Sequence, residues 1–397
     1  MRIAIAGAGI GGLAAAIALH RDGHQVTVYE QASQLSEIGA GIQLSPNASR
    51  VLAWLGVLDE LVPLAVEPAR GDLRRWEDGS VLVSQPLGNE VRERYGFPYL
   101  HAHRADLHGV LARAATDCDV RLGHRLDGFE PAGDGVRVRV ADGAVSVDHD
   151  LLIGADGIHS AVRRELFGDE SPRFSGNAVW RGLVDRRSIP DIDLPRHSHG
   201  FLGPGRHFVT YYVRSGRYVN WVGVAPSDTW DIESWTAPGR LDDARADFAG
   251  WCPTVATLID AVGDAPIYRW ALFDRDPLPR WSEGPVTLLG DACHPMLPFM
   301  AQGAAQAIED AAVLAGCLRT TDEPAEAVVV YESLRRERTA KVQLAARANE
   351  TMFHLPDGPE QRQRDERLGA ADATTNHRNA WLFDYDAMHP SPAPAAD

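Results

Sequence analysis

The chain has 397 residues, with 39 Lys and Arg against 55 Asp and Glu, for a formal net charge of −16. A composition of 45% hydrophobic and 24% charged residues is that of a globular protein with a sizeable core, and it excludes a disordered or fibrous chain. The acidic balance argues against a nucleic-acid binder, which needs clustered cations, and with Lys341 as the one lysine there is no Gly-Lys-Ser/Thr phosphate loop.

In chain order, Ile3 to Ala6 reads as a short buried strand, Gly11 to Arg21 as an Ala-rich helix and Val26 to Glu30 as a second strand, a βαβ beginning. The apolar start imitates a secretory signal, but the glycines between Gly7 and Gly12 and the strand that follows argue against one. Helical periodicity returns at Ala48–Leu55 and Asp106–Ala115. Val136–Val140 and Val145–Val147 flank Asp142-Gly143, a hairpin signal, and Leu151–Gly157 reads as a buried strand ending in a turn. From Pro172 to Pro277, Pro, Gly, Trp and Tyr become frequent, and alternation over His207–Val213 and Tyr218–Val224 predicts antiparallel strands. Buried-strand character resumes at 286–290. Ala301–Leu318 then reads as a helix with Ile308, Ala311, Ala312 and Ala315 on one side; a further helix follows Pro324, and the tail after Pro390 reads as disordered. Cys118, Cys252, Cys293 and Cys317 form no CxxC pair, which points to a reducing cytoplasm without a disulfide framework, and no apolar run is long enough to span a bilayer.

Three motifs carry chemistry. Gly7-Ala8-Gly9-Ile10-Gly11-Gly12 contains GxGxxG between a strand and a helix: Gly7 for the turn, Gly9 for approach of a pyrophosphate, Gly12 for close helix packing. Glu30, about twenty residues on, is placed for an adenosine ribose. Read alone, this motif leaves NAD and FAD open. The others are GADGIHSAVR at 154–163 and LGDACHPMLPFMAQGAAQAIED at 289–310.

With His103-Arg104-Ala105-Asp106-Leu107, these motifs resemble the single-component FAD-dependent aromatic hydroxylases, in particular the group of salicylate hydroxylase, 3-hydroxybenzoate 6-hydroxylase and 6-hydroxynicotinate 3-monooxygenase. The resemblance covers about residues 1 to 350. It implies an α/β fold: a Rossmann-like FAD-binding domain (1–72, 100–172 and 277–345), an interleaved, mainly antiparallel substrate domain (73–99 and 173–276), and a C-terminal helical segment and tail (346–397). Asp156 and Gly157 would serve FAD and the nicotinamide cofactor together. Gly290 and Asp291 would hold the ribityl chain, and backbone N–H groups at Gly303 and Ala304 would face the flavin. Arg104 would lie near the FAD phosphates and flavin, with a surface salt bridge as its alternative.

The implied reaction uses NADH or NADPH as transient co-substrate and O2, with a flavin C4a-hydroperoxide attacked by the substrate phenolate. His207 would be the phenol base, an imidazole near pKa 6.5 being suited to that task; a structural strand histidine is the alternative. Tyr212 would touch the substrate, with core packing as its rival, and Tyr211 would point to the opposite face. Pro298 would lie beside substrate and flavin. Gln43 and Phe299 stand where the hydroxynicotinate enzymes have histidines, so the pocket copies none of the three relatives. Arg181 could bind a carboxylate or form a structural ion pair. His101-Ala-His103 and His197-Ser-His199 lack a recognised ligand spacing, and no metal is expected. The expected activity is hydroxylation of a small hydroxylated aromatic acid by a cytoplasmic monomer or homodimer that binds neither nucleic acid nor membrane. The alternatives are a monooxygenase for a larger natural-product ring and a non-catalytic dinucleotide-binding redox sensor.

Overall fold

The computed structural model describes residues 1–35, 41–141, 147–228, 237–370 and 379–390. Among these, seventeen strands form four sheets. The first is a five-stranded parallel sheet in the order β17 (Val286–Leu288), β11 (Leu151–Gly154), β1 (Arg2–Ala6), β2 (Gln25–Glu30), β7 (Asp119–Leu122). A parallel sheet is covered on both faces, which is why Ile3–Ala6 and Leu151–Gly154 are continuously apolar and buried, and why Val286–Leu288 is buried throughout, with the Thr287 hydroxyl paired to Ser282 Oγ. The chain leaves this sheet after β11 and returns to its edge 132 residues later at β17, counting from Gly154 to Val286.

The helix Ile10–Arg21 buries nearly its whole length, and the helix Gly303–Leu318 packs against it. The sequence pattern suggested a one-sided helix there. Instead every residue from Ala305 to Ala315 is buried, because helices Ile10–Arg21, Pro46–Trp54 and Pro324–Phe353 surround it. Its alanines are what let those backbones approach.

The second large sheet has seven strands in the order β16 (Tyr268–Asp274), β12 (Arg173–Asp185), β15 (Tyr218–Pro226), β14 (Arg206–Val213), β13 (Ser198–Gly203), β4 (Arg70–Arg75), β5 (Val81–Pro86). All its pairs are antiparallel except β13 with β4. Strand alternation gives the sheet two unlike faces. Trp180, Phe208, Tyr212 and Trp221 pack on one face with Ala244, Phe248, Val255 and Leu258 of the segment 241–260. Burying a side chain such as Phe208 stabilises by about 1.5–3 kcal/mol. On the other face Val179, Arg181, His207, Val209, Tyr211, Val222 and Val224 line a cavity.

Two smaller sheets complete the set: β3 (Gly41–Leu44) with β6 (Leu100–His103), and β8 (Leu126–Ala132), β9 (Gly135–Val140) and β10 (Val147–His149). The turn expected at Asp142-Gly143 and the tail after Pro390 lie outside the described residues.

The helix Pro324–Phe353 has 30 residues and is about 45 Å long. It runs through the boundary expected at 345/346, and the seven-stranded sheet starts at Arg70, three residues before the boundary expected at 73. At one end of the helix Tyr331 joins the main core around the parallel sheet; toward the other, Ala346 and Phe353 pack among the cavity-side residues.

Candidate active site

The Gly7-to-Gly12 loop, the Ala155-Asp156-Gly157 turn and the Gly290-Asp291 turn converge at the C-terminal ends of β1, β11 and β17, the edge where parallel α/β sheets bind ligands. A Cβ on Gly12 would lie 2.0 Å from the Gly7 carbonyl oxygen, so only glycine lets the helix start this close to the strand. At Gly9 a Cβ would meet nothing within 4 Å, so that side of the loop is open for a ligand. Gly11 abuts Leu289 and Ala307, tying the loop to the later motif. The Glu30 carboxylate accepts from the backbone N–H groups of Ala8 and Ala32, both at 2.8 Å, and each oxygen keeps a further lone pair. Asp156 Oδ2 accepts from Ala161 N at 2.7 Å while its buried Oδ1 has no protein partner. Burial raises the Asp156 pKa. The Asp291 carboxylate opens onto the cavity, and desolvation by the surrounding protein raises its pKa, opposed by His294 and Arg104.

A buried ion network holds this edge. Asp310 accepts from Gly290 N at 3.0 Å, His294 Nε2 at 2.6 Å and Arg335 Nε at 2.7 Å. Glu309 accepts from Arg335, Arg338 and Asn47, and Gln302, the residue before the helix Gly303–Leu318, accepts from Asn47 Nδ2 at 3.2 Å. Arg335 is 0% exposed, so its charge is balanced wholly by these two carboxylates. Burial is the largest single influence and pushes both pKa values up, but the combined attraction of Arg338 and Arg335 on Glu309, and of His294 and Arg335 on Asp310, outweighs it and holds both acids below their ordinary pKa. Ala301 enters the same helix with φ +52, a strained conformation for a residue with a Cβ.

One cavity of about 740 Å³ runs from this edge to the seven-stranded sheet. Arg104, Asp291, Gly303 and Ala304 line one end; Gln43, Arg181, His207, Tyr211, Pro298 and Phe299 line the other. Arg181 is 6% exposed and its guanidinium lies 5.6 Å from the Trp270 ring centroid. Tyr99 donates to Gln43 Oε1 at 2.6 Å, which leaves the Gln43 amide N–H groups for other partners. His207 is fully buried with Nδ1 2.7 Å from His354 Nε2, and burial, reinforced by His354, holds its pKa well below the ordinary 6.5. The expected near-neutral imidazole is therefore replaced by one kept uncharged.

Tyr212 is the expected site residue that the structure puts elsewhere. Its hydroxyl donates to the Leu194 carbonyl at 2.8 Å on the far face of the sheet, and Tyr211 lines the cavity instead. The strand period of two already separates them: His207, Val209 and Tyr211 share one parity, so Tyr212 and His207 cannot face one pocket. Sequence reasoning also missed Tyr99, Asn349 and Phe353 in the cavity wall and His354 behind it. None of these had a local signal.

Comparison with known proteins agrees with this geometry. Residues 1–346 match the family described as FAD binding domain. The chain is 44% identical over 388 residues to a 3-amino-4-hydroxybenzoate 2-monooxygenase of Streptomyces platensis, covering 97% of this chain and 96% of the relative. It is 37% identical over 392 residues to a 6-hydroxynicotinate 3-monooxygenase of Pseudomonas fluorescens, covering 98% and 96%. Among solved structures, Klebsiella pneumoniae HpxO complexed with FAD and uric acid superposes with a TM-score of 0.85 at 31% identity, covering 97% of this chain and 96% of that one. The chain belongs to this FAD-binding family, and FAD is its cofactor.

Proposed function

We propose that the chain hydroxylates a small hydroxylated aromatic carboxylic acid, with 3-amino-4-hydroxybenzoate the first substrate to test. It is an FAD-dependent aromatic monooxygenase that consumes NADH or NADPH and O2. The observation that carries the reading is the single cavity joining Asp291 and the Gly303 helix start to Arg181 and His207. The cofactor-side residues fit FAD: an open Gly9, a buried Asp156 oxygen without a partner, and an Asp291 carboxylate turned into the cavity. Gly7, Gly9, Gly11 and Gly12 would hold the pyrophosphate with the helix N-terminus, Glu30 the ribose, Asp291 and Gly290 the ribityl chain, and Gly303, Ala304 and Arg104 the ring end; Asp156 and Gly157 would support FAD and the nicotinamide cofactor. When bound and reduced, FAD supplies the activated oxygen.

The protein supplies position and proton control. Arg181, stacked on Trp270, would fix the substrate carboxylate. His207 is neutral, with Nδ1 engaged by His354, and its Nε2 would accept the phenolic proton and so raise electron density on the ring. Pro298, Phe299, Met300 and Tyr211 would wall the ring and exclude water. Gln43 would present its amide to a ring substituent. Four free cysteines fit a reducing cytoplasm, and among the described residues no helix is long and apolar enough to cross a membrane. A monomer or homodimer is the assembly we propose.

The test is NADH and NADPH oxidation by the FAD-loaded enzyme against a panel of hydroxybenzoates, aminohydroxybenzoates and hydroxypyridine carboxylates, with product identification. Stimulation by one of these acids with a stoichiometric hydroxylated product is expected. If every acid leaves NAD(P)H oxidation unchanged, or drives only peroxide release, the reading fails.

A further inference from the structure

His207 and His354 stand 147 positions apart in sequence, yet their imidazoles meet edge to edge, Nδ1 to Nε2, at 2.7 Å. At that distance one ring must donate and the other accept, so a single proton sits between them. The His207 ring is 3% exposed and flanked by Phe299 and Phe353, with ring centroids 5.0 and 5.3 Å away. His354 caps the C-terminus of the helix Pro324–Phe353, is half-buried, and lies two residues before the exposed Pro356 and Asp357. One imidazole thus borders the cavity and its partner reaches toward solvent. Apolar side chains would fill this corner without the desolvation cost of two polar rings, so packing alone does not account for the pair.

We infer that His354 is the outlet of a two-histidine proton relay, taking up the proton that His207 removes from the substrate and releasing it to water. This rests on the reading of His207 as the phenol base. At the start His207 carries its proton on Nδ1 and donates it to His354 Nε2, so His207 Nε2 is free to accept. The substrate O–H bond breaks and a His207 Nε2–H bond forms. The Nδ1–H bond of His207 then breaks as a His354 Nε2–H bond forms, and His354 Nδ1 gives its proton to water. The electron pair of the O–H bond stays on the phenolate oxygen. Run backward, the path returns a proton to the product and restores both tautomers. His354 does not touch substrate; it acts through His207.

The electrostatics suit transit rather than storage. Burial, helped by the facing imidazole, lowers the His207 pKa, and burial with the nearby Arg206 guanidinium brings His354 down to about 4. Neither ring retains a positive charge at neutral pH. The other charged groups at this end are paired: Arg75 with Glu77, Asp357 and Asp365, and Arg364 with Asp365 while it donates to the Met352 carbonyl.

The experiment mixes FAD-loaded enzyme, without O2, with the aromatic acid that wild type hydroxylates, and follows proton release with phenol red. A hydroxynitrobenzoate serves as a chromophoric reporter of ionisation on the enzyme. In H354Q, whose amide can hydrogen-bond His207 but cannot pass a proton on, proton release slows at least about tenfold. FAD content stays at the wild-type level, the pH profile of turnover moves to higher pH, and added imidazole restores part of the rate. H207Q abolishes ionisation of the bound reporter. Wild-type release and an unchanged pH profile in H354Q would overturn the relay. If H354Q does not fold, H354N makes the same measurement. A wild type that turns over no aromatic acid overturns instead the reading beneath it.

Discussion

The two ends of the cavity are built on different principles. At the cofactor end, function rests on backbone: turns at the tips of parallel strands, a helix start, and a buried ion network beneath them. At the substrate end, function rests on which side chains a twisted sheet happens to turn inward, Arg181, His207 and Tyr211 among apolar neighbours. A backbone site tolerates little change but carries one specificity; a side-chain site can be rewritten residue by residue. Damage at the first end should therefore appear as lost stability and lost FAD, and damage at the second as altered kinetics in a folded, yellow protein.

The sharpest way to break that contrast is Arg335→Met. It removes the buried cation that Glu309 and Asp310 share, leaving only Arg338 and His294 beside them, and we expect about 3–5 kcal/mol of destabilisation with loss of FAD, measured by denaturant unfolding and flavin absorbance. The network also sets a pH dependence. Both acids have folded-state pKa values below their ordinary ones, so their contribution is complete above those ordinary values and fades as pH falls through the folded ones. Wild type should lose stability with acid over that window, and Arg335→Met should lose less. A variant as stable as wild type would show that the network does not hold the cofactor edge.

Next is Arg181→Met, which keeps volume and removes charge. KM for the aromatic acid should rise about 10- to 100-fold, as expected for a lost charge-assisted hydrogen bond, with FAD and thermal stability retained. An unchanged KM would reassign Arg181 to the structural role on Trp270. The glycine pair separates packing from ligand approach. Gly12→Ala drives a Cβ into the Gly7 carbonyl and should destabilise by about 1–3 kcal/mol, whereas Gly9→Ala should leave the apoprotein within about 0.5 kcal/mol and weaken FAD, read by apoprotein melting and flavin titration. Equal destabilisation by both would mean the Gly9 side is not a ligand face. The smallest effect belongs to Tyr212→Phe: about 0.5–1.5 kcal/mol from the hydrogen bond to Leu194, with kcat and KM unchanged, while Tyr211→Phe should alter KM. The reverse pattern would put Tyr212 back in the site.

The same contrast explains what could be read from sequence. Gly12 announces itself because a tight turn between strand and helix is set by neighbours a few residues away. The βαβ opening and the return of the parallel sheet at Val286 were legible for the same reason, whereas Asp291, a mere strand end when read alone, was legible only through the resemblance carried jointly by the three motifs. His207 was visible as a strand residue and Arg181 only as a cation within the antiparallel region, but the face they share is fixed by pairing among β12, β15 and β14, and applying the period of two consistently would have chosen Tyr211 over Tyr212. His354 had no local signal: its meaning comes from a helix 30 residues long delivering it to His207. The all-round burial of Gly303–Leu318 was equally hidden, since an alanine-rich pattern does not say how many neighbours close on it.

That long helix also constrains how the protein can be cut or recombined. Its middle turns carry Arg335 and Arg338 into the cofactor network, and its last turns carry Asn349 and Phe353 to the cavity and its cap His354 to His207 behind it. A chimera that imports a relative's seven-stranded sheet to change substrate must import the final turns of this helix as well, or it will pair one protein's binding face with another's back wall. The strut makes the two ends separable in chemistry but not in inheritance.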